Sequence, residues 1–235
     1  MASIGPLYPG SAPVNDPTSS AGVVSWTNPG NAQTENDSGA TVTISRTNAS
    51  LYLIALNYGP SLPAGATLNG ILVELRLKLV SGSNPSNLTV TARFCTLVFS
   101  KGKWVLTFFN NTKGTLPSTL TGSFAYYALG SSSDIWGFDP SVNVSFFNDS
   151  TVGLSIQAST AHLTDTPQVE LDTARITYYT PAPAGSINLL LMGVGSILSA
   201  ASAWLGYLPW LRSKLWHAGY WLKGGRWTTR QLQAV

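Results

Sequence analysis

The chain has 235 residues, 44% of them hydrophobic and only 10% charged. That length supplies one sizeable core plus an appendage, and the composition excludes a wholly disordered chain while leaving the surface to Ser, Thr, Asn and Gly, as in secreted or particle-bound β proteins. The net charge of +3 is unevenly divided: residues 1–180 carry eight basic and ten acidic side chains, residues 181–235 five basic and none acidic.

A single cysteine, Cys95, excludes an intrachain disulfide framework, and two histidines, His162 and His217, are too few soft ligands for a structural zinc site, so no cofactor is expected. The first residues, MASIGPLYPGSAPVNDP, lack a basic and an apolar stretch and do not read as a secretory signal. Six Asn-X-Ser/Thr sequons, at Asn36, Asn48, Asn87, Asn110, Asn143 and Asn148, are what chance yields in a chain rich in these residues.

Residues 1–36 are rich in Pro, Gly, Ser and Asn, with one apolar stretch at 22–26. They read as an N-terminal arm with a short strand, of the kind that lies on a neighbour. From Thr41 the period becomes two, with Val42 and Ile44 alternating with polar residues, and 51–56 follows as a more continuous apolar run. The clearest strand spans 71–80: Ile71, Val73, Leu75, Leu77 and Leu79 point to a core, and Leu72, Glu74, Arg76 and Lys78 to water. Segments 87–100 and 104–109 flank Lys101-Gly102-Lys103 as a hairpin. Further strands are predicted at 122–128, 142–147, 152–158 and 168–180. About nine strands with no crossover helix between them predict an all-β chain, an antiparallel β-sandwich of jelly-roll type over 37–180.

The stretches 26–32 (WTNPGNA), 62–71 (LPAGATLNGI), 134–137 (DIWG) and 169–179 (VELDTARITYY) resemble a β-sandwich module of tailed-bacteriophage virion proteins, a spaced pattern covering residues 20–180. The resemblance implies a structural or adhesive role in a phage particle and brings no catalytic residues. Locally, the same stretches read as fold determinants: a turn, a loop feeding a strand, and a tryptophan packed over a backbone that needs Gly.

No nucleophile elbow, P-loop, dinucleotide fingerprint or His-Glu-X-X-His helix occurs. His162 beside Asp165 reads as surface decoration rather than a base, and Asp134, Asp139 and Asp149 as turn caps rather than calcium ligands. Tyr126, Tyr127 and Trp136 around a loop form a candidate contact for a host-surface glycan, set against the tendency of aromatics to fill cores. The body's balance of two excess acidic groups disfavours nucleic acid.

Residues 181–186, Pro-Ala-Pro-Ala-Gly-Ser, read as a linker, and 187–235 as a hydrophobic and basic helical anchor. Residues 187–208 would make a helix about 33 Å long, enough to cross a bilayer. The same stretch holds a heptad seam of Ile187, Leu191, Val194, Leu198, Ala201, Leu205 and Leu208 among small residues, the spacing of helices packed on one another. Both readings require association, and a trimer is the first expectation. Beyond Pro209, Trp210, Arg212, Lys214, Trp216, Trp221 and Lys223 form an amphipathic basic segment for a membrane surface, an acidic face of a neighbouring subunit, or DNA without specific recognition. The expected function is a non-enzymatic, particle-associated virion structural protein: a minor tail, tail-tip or collar component, held among other virion proteins by its C-terminal helices. A capsid decoration protein and a carbohydrate-binding adhesion module are the alternatives.

Overall fold

In the computed structural model, residues 1–18, 22–45, 48–82, 88–109, 120–139, 144–161, 164 and 166–181 are described. They belong to one compact unit, Met1–Ala182. The linker predicted at 181–186 lies outside the described residues from 182 onward, as do the seam and the basic segment.

Ten strands occur among the described residues: β1 (Ala2–Leu7), β2 (Val14–Asn15), β3 (Ala40–Thr43), β4 (Leu53–Leu56), β5 (Gly70–Ser81), β6 (Leu88–Ser100), β7 (Lys103–Phe108), β8 (Ala125–Ser131), β9 (Val152–Thr160) and β10 (Gln168–Thr180). They form two five-stranded antiparallel sheets. One runs β1-β10-β5-β8 with β3 also on β10, the other β2-β4-β9-β6-β7. The facing sides share one core, in which Val73, Leu75, Phe94, Leu154 and Ile176 are fully buried. The described residues therefore form an all-β sandwich.

The alternation of β5 is borne out on its inner face, where Ile71, Val73, Leu75 and Leu77 are all buried. The hairpin also forms, with Ser100 opposite Lys103 across a two-residue turn. Lys101 (φ 51°) and Gly102 (φ 78°) are both left-handed, the condition of a type I′ turn, which matches the twist of the strands.

The N-terminal segment, expected as an arm, pairs with the protein's own strands. The edge of β10 is shared end to end, with β3 covering Gln168–Leu171 and β1 pairing from Ile176 to Thr180. β2 pairs with β4, and the Asn15 amide exchanges two hydrogen bonds with the backbone of Trp26 (2.8 and 2.9 Å). Trp26 is buried and donates its Nε1 hydrogen bond to the Leu51 carbonyl at 3.0 Å. Covering an open sheet edge and burying an indole outweigh the weak strand propensity of this Pro/Gly-rich stretch.

The strand predicted at 142–147 is a 3₁₀ turn over Val144–Asn148 where it is described. Val144 and Phe147, three apart, both enter the core, as the threefold period of that helix allows. The Asn148 amide closes the turn onto Leu62, accepting from its N–H (2.8 Å) and donating to its carbonyl (2.9 Å), so this sequon side chain is already engaged. The strand predicted at 122–128 is displaced to Ala125–Ser131.

Candidate functional site

The outer face of the β10-β5-β8 sheet was predicted as simply wet, yet Leu72, Glu74, Arg76 and Lys78 are all half-buried. A bulge explains much of this. Asp172 and Thr173 occupy the β10 segment opposite Arg76, since the register passes from Leu171↔Leu77 to Thr173↔Arg76. Inward positions shift from Val169 and Leu171 before the bulge to Ala174, Ile176 and Tyr178 after it. The Asp172 carboxylate is buried against the Arg76 guanidinium.

Arg76 meets three carboxylates: Asp172, Asp37 (2.7 Å) and Glu35 (3.3 Å). The loop bearing Glu35 and Asp37 is tied down by the sheet, because the Asn36 N–H donates to Asp172 (3.2 Å) and the Gly39 N–H to Glu170 (2.9 Å). Lys78 pairs with Glu170 at 2.7 Å and lies over the Phe124 ring at 4.0 Å. Arg175 grips Glu74 with two hydrogen bonds (2.9 and 3.0 Å) and covers the Tyr126 ring at 3.6 Å. The face is a cross-strand ladder of charge pairs floored by aromatics.

At its margin lies an open surface hollow of about 390 Å³ lined by Tyr8, Thr34 and Glu35. Glu35 Oε2 accepts hydrogen bonds from Tyr126 (2.6 Å) and Tyr8 (3.2 Å). The Tyr126 bond in particular holds the Glu35 carboxyl below its ordinary value of 4.5. Burial and the Glu35 carboxylate push the Tyr126 phenol up. A carboxylate held ionised beside the Tyr126 phenol held neutral can bind polar ligands, but this is the reverse of the raised carboxyl that a general acid requires.

The three predicted glycan residues are separated by the fold. Trp136 is fully buried, its Nε1 donating to the Ile71 carbonyl at 2.9 Å and its ring edge-on to Phe94 at 5.2 Å. Tyr127 is buried too, its hydroxyl accepting from the Thr121 N–H at 3.0 Å. Both are corrected to core residues: in β8 alternate side chains face opposite ways, so Tyr126 and Tyr127 cannot share a surface. Tyr126 alone faces outward, with one ring face taken by Arg175. Trp136 sits at φ 58°, a left-handed conformation unusual for a bulky residue, held by its N–H bonding Asp134 at 2.8 Å. The glycine beneath its indole is Gly130.

Asp134 and Asp149 cap turns, Asp149 receiving both the N–H and the hydroxyl of Thr151 at 2.8 Å. Among the described residues, no three His, Cys, Asp or Glu side chains are grouped to hold a metal ion. His162 and Asp165 lie outside the described residues, as do the seam from Ile187 to Leu208 and the segment from Trp210 to Lys223. Sequence reasoning missed Tyr8, Glu35, Arg76, Asp172 and Arg175, which come together only through pairings spanning most of the chain. The signal available was the set of outward ionisable residues on 71–80 and 168–180.

No protein-family model matches this chain, and no curated protein matches it. Among solved structures, the CBM22-1–GH10 modules of the Clostridium thermocellum endo-1,4-beta-D-xylanase 10B, complexed with xylohexaose, align at TM-score 0.33 with 12% identity. The alignment covers 78% of this chain and 30% of that one, a similarity too low to carry a function.

Proposed function

We propose that this chain is a non-enzymatic structural component of a tailed-phage particle, a minor tail, tail-tip or collar protein, in which the sandwich is a rigid head and the C-terminal segment an anchor among other virion subunits. The observation that carries this reading is where the virion-like stretches go. Trp26 and Ala32, Leu62 and Leu68, Trp136, and Val169, Leu171, Ala174, Ile176 and Tyr178 supply core side chains, so the pattern is used in building a sandwich. The order β3-β10-β5-β8 facing β4-β9-β6-β7, with successive strands alternating between sheets from β3 to β6, is the arrangement of a jelly roll, a common particle architecture. Its outer ionisable groups are paired in a ladder, which supports a display role over catalysis. A capsid decoration protein is the same reading at another place in the particle.

The test compares residues 1–181 with the full chain by mass in solution. The shorter form is expected to be a soluble monomer, and the full chain to associate, a trimer first, or to require detergent. Two equal, monodisperse monomers would overturn the anchor. A second reading, glycan adhesion, is favoured by the open hollow at Tyr8, Thr34 and Glu35, whose phenol, hydroxyl and carboxylate are the polar groups sugars use. It predicts glycan-array binding that is lost in Tyr8→Ala and Glu35→Gln while folding is retained; an array with no hits removes it.

A further inference from the structure

The end of the β6–β7 hairpin exposes large apolar side chains on both of its faces. Phe99 and Trp104 are 59% and 48% exposed and face each other across the strands, with ring centroids 5.2 Å apart. One rank further in, on the opposite face, Val98 and Val105 are 41% and 46% exposed. Inward of that rank the hairpin rejoins the protein, with Leu97 and Cys95 buried. The tip thus projects as a wedge, and an exposed apolar cluster of this kind marks an interaction site.

The turn adds charge. Lys101 occupies the first left-handed position of the type I′ turn, where Asn, Asp or Gly is favoured, so this lysine is not explained by turn chemistry. Lys103 follows at the first position of β7, and both are exposed. Neither makes an ion pair among the described residues. Between Glu74 and Asp134 the sequence contains no acidic residue.

From this geometry we infer that the β6–β7 tip docks into the interface of an anionic phospholipid bilayer, with Phe99, Trp104, Val98 and Val105 among the upper acyl chains and the long side chains of Lys101 and Lys103, at the distal end, reaching back along the wedge to lipid phosphates. The charge selects an anionic partner, and apolar side chains on both faces suit a medium that surrounds the wedge; a flat protein surface covers only one face. Three ranks at about 3.3 Å each give roughly 10 Å of insertion, matching the roughly 5–10 Å depth of interfacial elements. Tryptophan and lysine are the side chains that this boundary accommodates best. The inference concerns the sandwich alone and stands whether or not the C-terminal segment anchors the chain.

The test places an environment-sensitive fluorophore on the full chain at Ser100→Cys, with Ser38→Cys, in the loop over the other sheet, as the control. Native Cys95 is fully buried and stays unlabelled. On vesicles containing phosphatidylglycerol, the probe at residue 100 is expected to shift to the blue and to be quenched by lipids brominated in their upper acyl chains, whereas the probe at residue 38 is not. Pure phosphatidylcholine should leave both unchanged. Lys101→Gln with Lys103→Gln should raise the lipid concentration for half-maximal shift about 25-fold, at roughly fivefold per lysine. Phe99→Ser with Trp104→Ser should abolish quenching; these side chains are exposed, so the fold should persist. The inference is overturned if residue 100 does not respond, if the chain binds vesicles with residue 100 unquenched, if neutral vesicles act equally, or if the shift occurs without lipid and grows with protein concentration, which would identify a second copy as the occupant.

Discussion

Gly130→Ala is expected to destabilise the sandwich far more than Gly102→Ala, although both glycines adopt positive φ (82° and 78°). A β-carbon at residue 102 meets nothing within 4 Å, so that variant bears only the left-handed strain, about 1–2 kcal/mol. At residue 130 the same atom would overlap Trp136 Nε1 and the Ile71 carbonyl oxygen, the two ends of the indole hydrogen bond. Displacing a fully buried indole adds about 1–3 kcal/mol of overpacking, and weakening its hydrogen bond about 1 kcal/mol more. The gain from a less flexible unfolded chain, about 0.4–1 kcal/mol, is common to both variants and cancels in the comparison. Gly130→Ala should therefore lose roughly 2–4 kcal/mol more than Gly102→Ala, which at about 2–4 °C per kcal/mol for this size is a further fall in Tm of some 4–16 °C. Urea unfolding of residues 1–181, followed by tryptophan fluorescence, measures it. Equal losses in the two variants would refute the packing of Trp136 on Gly130.

Asp172→Ala removes a fully buried carboxylate beside Arg76. Because Arg76 keeps Glu35 and Asp37, the expected loss is about 3 kcal/mol, the lower end for a broken buried pair, read from the urea midpoint. Glu35, held low chiefly by its hydrogen bond from Tyr126, contributes stability above its ordinary value of 4.5, and that contribution is lost as the pH falls through its lower folded value. The urea midpoint should thus decline with acidification below about 4.5, and Glu35→Gln should flatten that decline; an unchanged slope would contradict the assignment. Burial pushes the Cys95 thiol up to about 12, so at pH 8 a disulfide reagent should label it only as fast as the sandwich opens. Rapid labelling without denaturant would place Cys95 at the surface.

The strands that sequence reasoning located are those whose own side chains repeat every second residue. β5 is legible because Ile71, Val73, Leu75 and Leu77 mark one face without interruption, and β7 because a glycine-containing turn joins it to β6. β10 is legible in extent, but its bulge is not, because a slip from Leu171 to Ala174 keeps the composition of a strand and changes only which neighbour it meets. The segment ending in Phe146 and Phe147 reads as a strand by propensity and becomes a 3₁₀ turn because both rings enter one aromatic cluster with Phe138. The ladder at Arg76 was invisible, since its carboxylates come from residues 35, 37 and 172.

Sequence alone determined the all-β class, the hairpin and the inner face of β5, because these follow from the alternating direction of successive side chains, a property of the local backbone. Only the tertiary structure decided that the first residues complete the protein's own sheets, that Trp136 and Tyr127 are core, and that Phe99 and Trp104 are left outside. Whether an aromatic side chain is buried depends on what the opposite sheet places over it, and the hairpin tip bearing Phe99 and Trp104 extends past that cover.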